Sequence, residues 1–440
     1  GSAILFLIIL IRELFLGGTQ TIGALFSDAI LSTNKWLYWP ALPWTAVVAG
    51  AAILGYQLQG IRLALLAGIG VGYLCVFGQW EPSLETLSFV LVCAPICFIL
   101  GLGFGIWGYL NRTVEAALEP LLNCMQTLPH FSYLVPVMVL FGVGDHAGAV
   151  ATIIFATPPM IRLTILGLRK ISPDIVDSGL MSGCSKFQLL FRVLIPTART
   201  DILIGVNQVI MQCLAMTTIA AFIGARGLGF NLKVALNSLE IGKASEIGLC
   251  VVLIAVILDK YSLAWANKQK DYFSDLNFFQ RYRPYIGFIL LTLLAILLAY
   301  IGALYFKDGI NYLYYVPFDK GFTISPFIDA GIDWFWEAFF PYLNGFNVWL
   351  ITSVLVPMRD AYLGMPVIST FILVMGAGYI VGGVRSAIVV GGLILFIALS
   401  EYWDRALITA YMATFAVLIS AVLGLVVGSI CAQNRFASKT

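Results

Sequence analysis

The sequence predicts an all-α, polytopic membrane protein, and three observations support this fold class. Apolar residues make up 60% of the 440 residues and charged residues only 11%, whereas soluble domains carry roughly 25% charged residues. Uncharged runs of about twenty residues recur, and each is long enough to cross roughly 30 Å of hydrocarbon as a helix. The sequence also repeats itself. We expect about eleven membrane spans and a partial one at the start.

The predicted spans fall into two groups. Five long uncharged runs predict complete transmembrane helices, and five shorter or polar-tipped runs fill the intervals between them. The long runs are Leu87 to Leu110, Ile202 to Ala225, Pro284 to Phe306, Ala361 to Val384 and Ala406 to Asn434, and the shorter runs are 45 to 58, 63 to 80, 131 to 143, 147 to 168 and 241 to 266.

The placement of basic residues predicts the orientation, because cytoplasmic loops carry an excess of Lys and Arg. The linker from Lys260 to Arg283 has five basic residues against two acidic ones, so we expect it to be cytoplasmic. The loop from 307 to 345 has five acidic residues against two lysines, so we expect it to be external. The aromatic residues of that loop fit an interfacial belt, with an aromatic cage for a quaternary ammonium as the alternative: Trp334, Trp336, Phe339 and Phe340.

The sequence contains a tandem repeat that pairs residues 43–112 with residues 366–435. A shift of 323 positions, the separation of Arg62 and Arg385, pairs many residues without a gap. Trp, Pro and Arg are infrequent in this sequence, so their coincidence argues against chance and for a duplication. The pairs include Pro43 and Pro366, Gly60 and Gly383, Gly68 and Gly391, Trp80 and Trp403, Gly101 and Gly424, and Gly105 and Gly428.

A polar stretch at 172–196 interrupts the hydrophobic pattern and predicts a short helix hairpin. Ser172, Pro173 and Asp174 are typical of a helix start, because an N-cap oxygen, a residue without N–H and an acid all suit the positive helix end. Gly183 is predicted to end this first helix. The flanking charges predict a cytoplasmic position for the hairpin: Arg162, Arg169, Lys170 and Arg199.

The second helix of the hairpin has its own start signal. Ser185 is followed three residues later by Gln188, which is a capping box. Apolar residues then recur at i, i+3, i+4 and i+7, which predicts one apolar stripe on a helix of about ten residues that ends at Pro196. Such a stripe outside the bilayer either docks into a groove of a partner or rests on lipid headgroups. The stripe consists of Phe187, Leu190, Phe191 and Leu194.

This stretch resembles the cytoplasmic coupling loop of ABC importer permeases. That pattern is Glu-Ala-Ala, a glycine after three intervening residues, and Ile-x-Leu-Pro after nine more; here Asp177-Ser178-Gly179, Gly183 and Val193-Leu194-Ile195-Pro196 stand at those spacings. The triplet departs from the pattern at all three positions. The surrounding segments LLNCMQTLPHFSYLVPVMVLFGVGDHAG and DILIGVNQVIMQCLAMTTIAAFIGARGLG are similar to permeases of glycine betaine/proline betaine importers.

The resemblance implies a type I ABC importer permease of the bacterial inner membrane that takes up a betaine-like compatible solute. It implies ABC ATPase subunits and an extracytoplasmic substrate-binding protein as partners, beside the lipid bilayer, and no nucleic acid. ATP and Mg would belong to the ATPase, so we expect no cofactor, metal site or catalytic residue on this chain. The residues expected to contact the ATPase are Asp177, Ser178, Gly179, Gly183, Ser185, Lys186, Phe187, Leu190, Phe191, Arg192 and Pro196.

The repeat and the resemblance together predict a domain division. Residues 43–270 form a first permease domain that contains the coupling loop at 172–196, and residues 361–440 begin an incomplete second one. We expect the counterpart of the coupling loop near position 500, 323 positions beyond the first. The remaining segments are a truncated span and external segment at 1–42, a cytoplasmic linker at 271–283, and a span plus external loop at 284–360.

Polar residues inside an otherwise uncharged span are candidates for the translocation pathway. Unpaired amides in hydrocarbon are costly, so Asn207, Gln208 and Gln212 must face either a pathway, with Met216 beside them, or hydrogen-bond partners on neighbouring helices. An ion-gradient-driven secondary transporter is the alternative function. It would bury ionisable groups at mid-membrane, and the predicted spans are almost free of such groups.

Two glycines on one face of a predicted span suggest close helix packing. Gly101 and Gly105 are four residues apart, which lets two helix backbones approach each other in lipid. Gly103, Gly105 and Gly108 also match the dinucleotide-binding fingerprint, but that motif requires a preceding strand and a soluble βαβ unit. We therefore predict helix packing and no dinucleotide site.

Overall fold

The computed structural model describes residues 44–267 and 322–433, together with Ile8, Gly287, Ile289, Leu290, Leu293, Leu294 and Leu297. The described residues form helices and no strands. They belong to two compact units, Gly1–Ala330 and Gly331–Thr440. The predicted N-terminal segment 1–42, the linker 271–283 and the span Pro284 to Phe306 lie outside the described residues, apart from those single positions.

The described part of the first unit opens with a helix hairpin. Helix α1 (Trp44–Gln59) and helix α2 (Ile61–Val76) meet at Gly60. A Cβ atom at Gly55 would lie 2.8 Å from the carbonyl oxygen of Leu63, so the two arms pack backbone to backbone. Both short apolar runs predicted in this region are therefore confirmed as helices.

Four long helices pack around the core of this unit: α3 (Trp80–Leu110), α6 (Asp145–Arg169), α8 (Arg199–Ala220) and α10 (Ile241–Asn267). Helix α3 lies against α6 through its small residues. Gly101 contacts Met160, and a Cβ atom at Gly105 would lie 2.5 Å from the Thr164 β-carbon. The close packing predicted from the glycine spacing is confirmed.

A bent pair of helices lies between α3 and α6. Helix α4 (Arg112–Thr127) and helix α5 (His130–Phe141) meet at an angle of 99°. Helix α4 follows α6 because Arg162 donates a 2.6 Å hydrogen bond to Asn123 and Arg169 forms an ion pair with Glu115. The sequence predicts only the short span near 131–143, since the amphipathic α4 lacks an uncharged run.

Three shorter helical elements complete the described core of the first unit. Helix α7 (Pro173–Met181) belongs to the polar hairpin, and helix α9 (Leu228–Asn237) precedes α10. A 3₁₀ turn at Ala221–Ile223 ends α8. The backbone N–H of Gly144 donates to the Ile223 carbonyl at 2.9 Å, which joins this turn to the start of α6.

Residues 322–329 are fastened to α10 by two carboxylates. Glu246 is 3% exposed and accepts hydrogen bonds from the Thr323 hydroxyl at 2.9 Å and the Ile324 N–H at 3.0 Å. Asp329 accepts from the Gly242 N–H at 2.7 Å, near the start of α10. We call this arrangement the α10 clasp.

Helix α11 (Ser325–Leu350) begins in the first unit and ends in the second. It corrects the prediction for 307–345, because residues 325–345 are helical and do not form a loop. A π-helical turn at Ile351–Leu355 and helix α12 (Val356–Leu363) follow. The aromatic residues Trp334 and Trp336 lie on α11 with exposed side chains.

The last two helices of the second unit are α13 (Val367–Leu399) and α14 (Trp403–Gln433). Non-helical backbone at Gly382 and Gly383 divides α13 into two arms. A Cβ atom at Gly391 would lie 2.9 Å from the Met375 sulfur, whereas sixteen residues of straight helix would separate these positions by about 24 Å. The arms are thus antiparallel: the predicted run Ala361 to Val384 contains the first arm and the turn, whereas the second arm was not among the predicted spans.

Within the described residues, seven helices are long and apolar enough to cross a membrane, or eight if the bent pair α4 and α5 counts as one span. The count includes α13 as one helix. The protein is a multi-pass membrane protein, as its composition predicts.

Candidate functional site: the helix hairpin at 172–196

The first arm of the hairpin is α7. Ser172 stands at the N-cap position and Pro173 at the first helical position, as predicted, although the Ser172 side chain makes no capping hydrogen bond. The helix ends at Met181. Gly183 follows with φ of 77°, a left-handed conformation that favours glycine.

The second arm begins with the predicted capping box, which is confirmed in both directions. The Ser185 N–H donates to Gln188 Oε1 at 2.9 Å, and the Gln188 N–H donates to Ser185 Oγ at 3.3 Å. A single α-helical turn, Lys186–Gln188, follows, and the chain then continues as a π-helix at Leu189–Leu194.

Pro196 does not end this arm, contrary to the prediction. The helix continues through Ile195–Thr197, and the turn comes at Ala198, directly before α8. Proline has no N–H, and its ring clashes with the carbonyl four residues earlier in an α-helix. The wider π-helical turn before it relieves this conflict, with the Ile195 N–H bonded to the Leu190 carbonyl five residues back.

The prediction of one apolar stripe is wrong because the π-helix changes the periodicity. Leu190 and Leu194 are buried together with Leu189 in the main core cluster. Phe187 and Phe191 face outward, 70% and 48% exposed, with ring centroids 4.5 Å apart. The arm therefore has an inner leucine face and an outer phenylalanine face.

Gly179 lets the two arms pack closely. A Cβ atom at this buried position would lie 2.6 Å from Leu189 Cδ1. The close approach of Leu189 thus explains why a glycine, and no larger residue, stands at the third position of the triplet. Asp177 and Ser178 beside it are exposed, and the Ser178 hydroxyl donates to the Asp174 carbonyl at 2.7 Å.

The outer surface of the hairpin combines apolar and charged side chains. Met181 is 89% exposed, and Leu180 beside it is also exposed. Sequence reasoning missed this pair because it stands at the end of α7, outside the stripe. The exposed set that we call the hairpin patch is Leu180, Met181, Phe187 and Phe191, with Asp177, Lys186 and Arg192 exposed on the same two arms.

The candidate pathway residues on α8 lie in different environments. Asn207 donates a 2.9 Å hydrogen bond to Asp259 of α10. For this residue, the alternative of a hydrogen-bond partner on a neighbouring helix is therefore observed. Gln208 is exposed, whereas Gln212 is half-buried and its side-chain oxygen is buried without a hydrogen-bond partner. Met216 is fully buried in a core cluster with residues of α5 and α6. The pathway assignment stays a prediction for these residues.

The described residues contain no group of three or more His, Cys, Asp or Glu side chains arranged to hold a metal ion. The hairpin presents no nucleophile with an adjacent base. Its outer surface combines exposed aromatic and thioether side chains with charged ones.

Comparison with known proteins identifies the class. Residues 97–312 match the family described as the binding-protein-dependent transport system inner membrane component. The chain is 38% identical over 220 residues to the glycine betaine transport system permease protein OpuAB of Bacillus subtilis and covers 78% of that protein. The chain belongs to this family of transport permeases, which are not enzymes.

A more extensive similarity links the chain to particular relatives. It is 56% identical over 434 residues, 99% of its length, to the trimethylamine N-oxide transport system permease protein TmoV of Pelagibacter ubique. It spans 60% of the length of that relative. A structure of the MetNI methionine ABC transporter aligns with 41% of the chain and 91% of its own chain at 18% identity and a TM-score of 0.38, which is too distant to support any argument.

Proposed function

We propose that the chain is the permease of an ATP-driven importer that takes up trimethylamine N-oxide or a related betaine-like solute. The family membership and the 56% identity to TmoV support this substrate class. In this proposal the permease lies in the bacterial inner membrane with the hairpin on the cytoplasmic side. A separate binding protein delivers the solute on the opposite side of the membrane.

One observation supports the coupling role, namely that the second arm of the hairpin, which carries Phe187 and Phe191, leads directly into the core helix α8. The second arm passes through Ala198 directly into α8. Leu189, Leu190 and Leu194 anchor this arm in the core. A push on the exposed phenylalanines is therefore transmitted to α8, which packs against α3, α6 and α10.

In this mechanism, ATP hydrolysis takes place on partner subunits and the present chain converts their movement into a change of access. A groove on one ATPase subunit receives the hairpin patch, since buried aromatic anchors usually dominate such contacts. Lys186 and Arg192 flank the apolar contact and orient it. Leu190, which was predicted as a contact, serves as an internal anchor in this proposal because it is buried.

Charge substitution on the hairpin patch tests the docking role. Phe187→Glu and Met181→Glu should each abolish co-purification of the ATPase with the intact permease and reduce ATP-driven uptake at least tenfold. Phe187→Leu is the matched control, because it keeps an apolar side chain at the same exposed position and should retain most of the ATPase. An unchanged ATPase yield in both charged variants would contradict the coupling role.

Uptake by proteoliposomes tests the transport class and the solute. The complete transporter with its binding protein should accumulate labelled trimethylamine N-oxide or glycine betaine only when ATP is present. Uptake driven by a sodium or proton gradient without ATP would instead establish the secondary-transporter alternative. The family membership disfavours that alternative.

A further inference from the structure

Two half-exposed aromatic rings meet beside the bend between α4 and α5. Phe131, in the first turn of α5, and Phe222, in the 3₁₀ turn after α8, have ring centroids 5.3 Å apart at an interplanar angle of 77°. The two side chains are 52% and 54% exposed. The rings belong to separate elements, so their approach results from the tertiary fold. Because each side chain is about half exposed, part of each ring surface is accessible.

A lysine from a third element stands over this pair. Lys233 of α9 places its ammonium nitrogen 5.1 Å from the centroid of Phe222. The same nitrogen donates to the Ala221 carbonyl at 3.4 Å. An ammonium group has three donors, and Lys233 forms no ion pair with any side chain that the structure describes. At least one donor is therefore available to an anion.

Buried side chains next to these three residues fix the positions of α5 and of the end of α8. Leu134 of α5 and Met216 of α8 are buried in one core cluster, which ties the bend to the end of α8. The His130 ring packs 4.2 Å from Phe155 of α6. A break in a membrane-spanning helix is a typical location of a substrate site in transporters, because helix ends and unwound backbone at the break can contact the solute.

We infer that Phe131, Phe222 and Lys233 form a solute subsite for small methylated zwitterions. The inference rests on the proposed transport function and deepens it. N-methyl groups carry the positive charge of such solutes and bind to aromatic ring faces. The oxygen of an N-oxide or a carboxylate accepts a charge-assisted hydrogen bond from the Lys233 ammonium. Aromatic rings and lysine thus match the two ends of one solute.

The lysine gives the subsite a specificity that aromatic rings alone lack. A methylated cation without an oxyanion, such as choline, brings its charge near Lys233 and gains no compensating hydrogen bond. The two positive charges, that of choline and that of the Lys233 ammonium, repel each other. The subsite therefore accepts trimethylamine N-oxide and glycine betaine and disfavours choline.

Saturation-transfer NMR on the N-methyl protons tests this subsite in the complete transporter, reconstituted in nanodiscs without the binding protein. Trimethylamine N-oxide and glycine betaine should give signals about fivefold stronger than choline. Lys233→Gln should lower both zwitterion signals until they are no stronger than that of choline in the same variant, because the charge-assisted hydrogen bond is lost and choline is no longer repelled. Phe222→Leu should lower both signals about fivefold, and Phe222→Tyr should restore them.

Two substitutions away from the subsite serve as controls. Lys243→Gln removes an exposed lysine whose ion pair with Glu240 lies at 3.1 Å, and Phe104→Leu removes an exposed ring on α3. Both should leave the three signals unchanged. Equal signals from choline and the zwitterions in the unmodified protein, or zwitterion signals that survive Lys233→Gln, would overturn the subsite.

ATP-driven uptake in proteoliposomes separates the subsite from the transport function. If the unmodified transporter takes up none of the methylated solutes, the proposed function fails and the subsite fails with it. If it takes up trimethylamine N-oxide or glycine betaine and both Lys233→Gln and Phe222→Leu transport at the unmodified rate and half-saturation, only the subsite fails. The expected result is a higher half-saturation concentration in both variants.

Discussion

Gly60 and Gly383 have the same unusual backbone conformation at equivalent points of the repeat. Their φ and ψ values are 85° and −162° for Gly60 and 67° and −161° for Gly383, and each residue joins two antiparallel helices. The shift that pairs these glycines also pairs the starts of α1 and α13 and both ends of α3 and α14, each of which has 31 residues. The duplication seen in the sequence therefore extends to the helix boundaries.

Replacement of either turn glycine should destabilise its hairpin. A positive φ combined with ψ near 180° is a region that essentially only glycine occupies, at a cost of about 1–3 kcal/mol for other residues. No atom lies within 4 Å of a Cβ at either position, so the cost comes from the backbone alone. We expect Gly60→Ala and Gly383→Ala each to lower the unfolding free energy of the reconstituted protein by that amount.

A glycine on the same hairpin provides the control. Gly72 lies inside α2 and also has no atom within 4 Å of a Cβ position. Gly72→Ala should stabilise by about 0.5–1 kcal/mol, because alanine loses less conformational entropy in a helix. Equal effects of Gly60→Ala and Gly72→Ala in thermal unfolding would show that the turn conformation does not matter.

The helices could be predicted from the sequence wherever their signals are local. Long uncharged runs predicted α3, α8 and α14, shorter or polar-tipped runs predicted α6 and α10, and the capping box at Ser185 appeared as expected. The antiparallel fold of α13 could also have been predicted, because Gly383 is the repeat partner of Gly60. Arg385 ended the predicted uncharged run at Val384, but no uncharged run of spanning length follows it, so a second arm was not predicted.

Because α3 packs closely against α6, alanine substitutions at Gly103 and Gly105 should have different effects on stability. A Cβ atom at Gly105 would press on the branched Thr164 side chain, whereas one at Gly103 meets no atom within 4 Å. Gly105→Ala should destabilise by about 1–3 kcal/mol through overpacking. Gly103→Ala on the same helix should be neutral or slightly stabilising. Unfolding midpoints of the two variants in the same detergent check this, and equal midpoints would contradict it.

The hydrogen bond between Asn207 and Asp259 should contribute to the association of α8 with α10. Interhelical polar contacts in membranes contribute about 0.6–2 kcal/mol. We expect Asn207→Leu and Asp259→Leu each to destabilise, and a double-mutant cycle to give a coupling energy in that range. Gln208→Leu on the exposed face of α8 is the control and should have little effect on stability. A coupling energy near zero would leave Asn207 free for a pathway role.

The functional surface could be predicted only in part. Spacing located the hairpin and its phenylalanines, but the π-helix rotated Leu190 and Leu194 into the core, and nothing in the residue periodicity indicates a π-helix. Pro196 was the available signal, because a proline inside a helix requires local relief of a backbone conflict. The convergence of Phe131, Phe222 and Lys233 depends on three separate elements, so it required the tertiary structure.

The α10 clasp should hold residues 322–329 against α10 mainly through one buried carboxylate. Glu246 accepts both the Thr323 hydroxyl and the Ile324 N–H, and its side chain is almost fully buried. Hydrogen bonds to a charged group contribute about 1.5–3 kcal/mol each, and loss of the acceptor leaves a buried donor unsatisfied. Glu246→Ala should therefore raise amide hydrogen exchange in 322–329 at least tenfold.

Glu240, a neighbouring acidic residue, provides a control that distinguishes loss of the Glu246 hydrogen bonds from a general loss of negative charge. Glu240 is exposed and forms an ion pair with Lys243, and such surface pairs contribute about 0–1 kcal/mol. Glu240→Ala should leave exchange in 322–329 unchanged, and Glu246→Gln should give an intermediate rate because the amide keeps one acceptor oxygen. If Glu246→Ala exchanges as slowly as the unmodified protein, two other hydrogen bonds suffice to hold the segment: the one from the Phe322 N–H to the Val76 carbonyl and the one from the Gly242 N–H to the Asp329 carboxylate.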